Sequence, residues 1–70
     1  MNYITQGTPA PEFYVVELMD GDNGSKFEPV WNTRTGFVIQ HETRGAALKF
    51  VRNNYGWAYA ARAFRIVGVL

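Results

Sequence analysis

The chain is predicted to fold as an α+β domain: a small antiparallel sheet of three to four strands with one helix packed on a face, in β-β-β-α-β order. Three observations predict it. The run "EFYVVELM" at residues 12–19 is dense in β-branched and aromatic residues, and "DGDNGS" after it is dense in residues that tolerate positive φ. The stretch "TRGAALKFVRNNYG" spaces its apolar residues at helical period between a threonine suited to an N-cap and a glycine. The last stretch, "RAFRIVGVL", returns to a period of two.

The elements follow in order. Residues 1–11 contain Gly7, Pro9 and Pro11 and little periodicity, so they read as a flexible N-terminal arm ahead of a single domain over 12–70. In the first strand Tyr14, Val16 and Leu18 share one face, and Phe13, Val15, Glu17 and Met19 the other. That second face is unusually apolar for a solvent side. Residues 20–25 form a hairpin loop. The second strand, "KFEPVWN", contains Pro29, which cannot donate to a ladder, so it belongs at an edge. A tight turn over "NTRTG" leads to "GFVIQHE", the third strand. The helix is expected over residues 44–55, capped by Thr43 and stopped at Gly56 as its C′ residue. Ala47, Leu48, Phe50, Val51 and Tyr55 make its apolar arc, and Lys49, Arg52 and Asn53 its polar one. "GWAYAA" reads as a loop or a single helical turn before the last strand. There Phe64, Ile66, Gly68 and Leu70 oppose Ala63, Arg65, Val67 and Val69.

Seventy residues without cysteine make one thinly stabilised domain, with neither disulfides nor thiolate zinc sites to help. Five Phe, four Tyr and two Trp supply the apolar area instead. No signal peptide opens the chain, and no apolar run approaches the ~20 residues of a membrane span. The expectation is a soluble, cytoplasmic protein without a membrane partner. Net charge is only +1, but it is unevenly distributed. Residues 1–30 carry Glu12, Glu17, Asp20, Asp22 and Glu28 against Lys26; residues 31–70 carry Arg34, Arg44, Lys49, Arg52, Arg62 and Arg65 against Glu42. Opposite halves permit two faces of different sign or internal pairing.

Catalytic and metal chemistry find little support. Asp20 and Asp22 lie near glycines, as in calcium loops, but Gly24, Ser25 and Trp31 stand where a ligand, the turn glycine and the bidentate glutamate belong. His41 is the only histidine and Ser25 the only serine, and they are far apart in sequence. A strand-end histidine at the sheet surface is the simpler reading. No enzyme activity, cofactor or metal is expected.

Binding is a better match. Tyr55 and Phe64 are assigned to the core, whereas Trp57 and Tyr59 follow the helix end with no clear place in either period. Trp, Tyr and Arg dominate binding hot spots, which makes Phe13, Trp31, Arg52, Trp57, Tyr59, Arg62 and Arg65 the candidate contacts with a larger protein partner. Phe13, Val15 and Met19 with Val67 and Val69 are expected to leave an apolar patch on the sheet face opposite the helix. "ETRGAALKFVRNNY" leading into "FRIVGV" resembles the helix-then-strand layout of small phage-encoded inhibitors of host machinery. That resemblance implies an inhibitor or regulator docking on a host enzyme through Arg52, Trp57 and Arg65; the acidic sheet residues such an inhibitor would use have no counterpart at matching positions. The alternative is a small nucleic-acid-binding domain using Arg44, Lys49, Arg52 and Arg65, cations for phosphate beside rings for stacking. A homodimer formed through an open sheet edge is a third possibility.

Overall fold

The computed structural model describes residues 10–20 and 26–70. The loop expected at 20–25, apart from the backbone of Asp20, and the arm up to residue 9 lie outside the described residues. Strand β1 (Phe13–Asp20) is the centre of the sheet, flanked by β2 (Lys26–Pro29) and β3 (Phe64–Val69), both antiparallel to it. Helices α1 (Arg44–Asn54) and α2 (Gly56–Ala61) lie between β2 and β3 in the chain. The class is α+β, and the order of elements is β-β-α-α-β.

Alternation along β1 decides the layers. Tyr14, Val16 and Leu18 face α1, where Val16, Ala47, Val51, Ala58 and Ala63 form a tightly buried cluster with Val30. Three of these six are alanine and three are valine, so the helices approach the sheet closely. Ala47, Val51 and Ala58 are wholly inaccessible. The aromatics close the rim of this small centre: Phe50, Tyr55 and Phe64 pack against it while remaining half-exposed. Met19, expected on the opposite face, also packs against this cluster, because Ala63 sits beside it and accepts its backbone N–H at 2.9 Å.

The third strand expected over residues 36–42 does not form. Only two isolated bridges remain, Trp31 with Val38 and Tyr14 with His41. The reason lies in the free edge of β1. His41 exchanges both backbone hydrogen bonds with Tyr14, so a continuing antiparallel ladder would set Ile39 against Val16. The Val16 carbonyl already accepts from Val30, and Ile39 donates to Val30 instead, at 3.0 Å in both cases. On the other side of His41 the chain enters the cap of α1 at once. The turn between the bridges is ordered by Asn32, whose Oδ1 accepts the Arg34 and Thr35 N–H groups, and by Gly36 at φ +78°.

Thr43 caps α1 as expected, its hydroxyl accepting the Ala46 N–H at 3.0 Å. The stop differs. Gly56 does not take the left-handed conformation; Tyr55 breaks the helix at φ −134°, ψ 58°, and Gly56 opens α2. The left-handed C′ residue is Arg62, at φ 58°. The Ala63 and Arg62 N–H groups turn back to the Ala58 and Tyr59 carbonyls, which is a Schellman closure. A side-chain-bearing residue is strained there, so Arg62→Gly is expected to raise stability by about 0.5–1 kcal/mol, seen as a higher urea midpoint with an unchanged slope.

Candidate protein-docking surface

The face of the sheet turned away from the helices carries the candidate site. Register places Phe13, Val15 and Glu17 of β1 against Val69, Val67 and Arg65 of β3 on this side, and Pro29 of β2 against Glu17. The turn after β2 adds Trp31, Phe37, Val38 and Gln40, and these residues, Arg65 excepted, line a groove of ≈ 470 Å³. Its floor is valine and phenylalanine. Its wall is the 31–38 turn, which the Asn32 and Gly36 geometry folds so that Phe37 stands 73% exposed.

Charge enters the groove at one end only. Arg65 Nε donates to Glu17 Oε1, and the same guanidinium lies 4.4 Å from the centre of the Phe27 ring. Arg65 therefore spends its charge within the fold, pinned across three strands, and the groove floor offers neither a free cation nor a free carboxylate. A partly exposed pair of this kind contributes little to stability. What it does is fix a polar boundary for an otherwise apolar bed.

The remaining expected contacts divide between two other places. Trp31 and Trp57, 56% and 58% exposed, flank a notch of ≈ 280 Å³ with Leu18, Pro29, Val30 and Tyr55, at the β2 edge. Trp31 thus stands on the lip of both this notch and the groove. Arg52, Tyr59 and Arg62 lie on the helical side; Tyr59 stacks on Phe64 at 6.1 Å with the rings 12° from parallel. Phe13 and Trp31 share the groove, with Arg65 beside it through Glu17, while Arg52, Trp57, Tyr59 and Arg62 are not part of that group.

The four nucleic-acid candidates are divided as well. Lys49 and Arg52 project from the outer face of α1, Arg44 lies 5.9 Å over the Tyr14 ring, and Arg65 is on the far side of the sheet. No single basic field includes all four.

Phe37 and Val38 are groove residues that sequence reasoning passed over. The signal was present: "FVI" following the glycine of a tight turn puts apolar side chains on both faces of an extended segment, so one face had to meet solvent.

His41 lines the opposite side. Its ring packs on Phe50 at 4.9 Å, and Nε2 has no hydrogen-bond partner among the described residues. Desolvation by this burial pushes its pKa below the usual 6.5. The unfolded chain then binds the proton more readily than the folded one. Stability is full above pH 6.5 and declines as pH falls through 6.5 toward the depressed folded value. Urea melts across that window are expected to show this decline, and His41→Gln to flatten it.

Among the described residues no group of three or more His, Cys, Asp or Glu is placed to hold a metal ion, and no helix is long and apolar enough to cross a membrane. Comparison with family models, curated proteins and solved structures finds no match to this chain.

Proposed function

We propose that this chain is a non-catalytic protein-binding module whose open sheet face takes an apolar surface of a larger protein. One observation carries the reading: Phe13, Val15, Val67 and Val69 form a continuous apolar floor, with Trp31 and Phe37 standing exposed beside it. Val15 is buried and Phe13, Val67 and Val69 are half-buried, so the accessible apolar surface is carried mainly by Trp31 and Phe37, and large exposed aromatics beside an apolar bed are the usual anchors of an interface. Because Glu17 and Arg65 satisfy each other, the complementary surface is apolar rather than charged. Action by occupying a surface agrees with the layout resembling phage-encoded inhibitors, and an inhibitor or regulator of a host enzyme is the specific form proposed. Nucleic-acid binding is less well supported, because the cations it needs are spread over both sides of the sheet.

The test is affinity capture with the full chain, with and without nuclease, followed by calorimetry on the purified pair. One protein retained after nuclease is expected. Phe37→Asp and Trp31→Ala are expected to weaken it by about 30-fold each, at about 2 kcal/mol per anchor, with a negative heat-capacity change of binding. Lys49→Glu is expected to leave it unchanged. Loss of every partner with nuclease, or sensitivity to Lys49→Glu without sensitivity to Phe37→Asp, overturns the reading.

A further inference from the structure

A second surface lies on the helical side, beside the outer edge of β3. Backbone hydrogen bonds orient that edge. Glu12 and Met19 donate to the carbonyls of Val69 and Ala63, so the odd-numbered residues of this segment point toward β1. In an antiparallel ladder the alternate residues Phe64, Ile66 and Gly68 then direct their N–H and C=O groups outward. Among the described residues none of these outward groups is paired with another strand. The opposite edge is closed differently, by Pro29 and by the Tyr14–His41 bridge.

Next to this edge the helices leave a shallow pocket of ≈ 510 Å³, lined by Leu48, Tyr59, Ala60, Arg62 and Phe64. A smaller depression continues from it across Gly45, Lys49 and Arg52, with Leu48 and Tyr59 as the shared wall. Leu48 and Tyr59 are 40% and 39% exposed although both are apolar enough to be core. Lys49, Arg52 and Arg62 rim the same surface, and none of them has an acidic partner among the described residues.

We infer that this edge and pocket form a strand-docking site for an extended segment of a partner protein whose every second residue, on the side turned to the helices, is aliphatic or a carboxylate. The backbone of such a segment pairs with Phe64, Ile66 and Gly68. Its aliphatic side chains enter the Leu48/Tyr59 pocket, and its carboxylates meet Lys49, Arg52 and Arg62. Charge decides among the occupants. A second copy docking edge to edge would bring β3, whose sequence FRIVGV holds no carboxylate to meet these cations, and a nucleic-acid backbone has no groups to complete a strand ladder. The site is on the other side of the sheet from the groove of the proposed function and does not depend on it.

The experiment is selection from a random displayed peptide library on the full chain, followed by affinity and amide-exchange measurements on the enriched peptides. Sequences with both Asp or Glu and Val, Leu or Ile at every second position are expected. Their binding should protect the Ile66 and Gly68 amides and weaken with added salt. The pair Lys49→Glu and Arg52→Gln should lower affinity by about 10-fold, and Phe37→Asp should leave it intact. Circular dichroism on each variant excludes loss of fold. The proposal is overturned by enrichment of non-acidic peptides only, by peptides lost in Phe37→Asp, by an oligonucleotide that displaces the peptides at lower concentration, or by a dimer in sedimentation whose formation blocks them.

Discussion

Val16→Asp is expected to leave the chain mostly unfolded at 25 °C. Val16 is 1% exposed at the centre of the middle strand and packs in the cluster with Ala47 and Val51, both wholly buried. Removing the valine forfeits about 2 kcal/mol of transfer energy, and a carboxyl group without a partner there adds about 3 kcal/mol more, even if it takes up a proton. A domain of this length has about 4–10 kcal/mol to lose. The low end applies here, because the wholly buried side chains are small. The measurement is a urea melt followed by near-ultraviolet circular dichroism, with Phe37→Asp beside it. That second variant places the same charge on a 73% exposed residue and is expected to move the midpoint by no more than about 0.5 kcal/mol. A cooperative transition retained by Val16→Asp would mean that the helices do not pack on this side of β1.

Gly68→Val is expected to destabilise the domain by about 1–3 kcal/mol, although valine is the better strand former. A Cβ on Gly68 would lie 2.7 Å from Cγ and 3.1 Å from Cβ of Pro11, and 3.4 Å from Cε2 of Tyr14. Pro11 is a rigid ring, held by the neighbouring bond from the Glu12 N–H to the Val69 carbonyl at 2.8 Å. It cannot rotate aside without breaking that bond. Pairing the change with Pro11→Gly should recover most of the loss, so the two substitutions would be strongly non-additive. Additive effects in the double-mutant cycle would show that the contact does not carry the cost.

Much of the fold was legible because local signals and tertiary demands agreed. The β1 run, the Thr43 cap and the polar face of α1 all follow from residue type and spacing, and each appears where it was expected. The apolar reverse face was legible from the same alternation in β1 and β3. Pro29 likewise marked β2 as an edge strand, which the sheet order agrees with.

The misses share another cause. "GFVIQHE" has strand propensity, but Val30 occupies the Val16 carbonyl that a third strand would need, and no local pattern records that competition. Gly56 is a plausible helix stop, yet the left-handed position falls six residues later at Arg62, where the chain must turn back for Ala63 to reach Met19. Arg65 looked like one member of a basic series until strand register set it beside Glu17 and over Phe27.

Residue order by itself determined which side of each strand and helix is apolar, because that follows from periods of two and 3.6 written into the chain. It also determined that charge is divided between the two halves. Tertiary structure alone decided which apolar faces are covered and which cations are neutralised. Both depend on contacts between residues far apart in sequence, such as Glu17 with Arg65, and a single backbone acceptor claimed by one segment is closed to another.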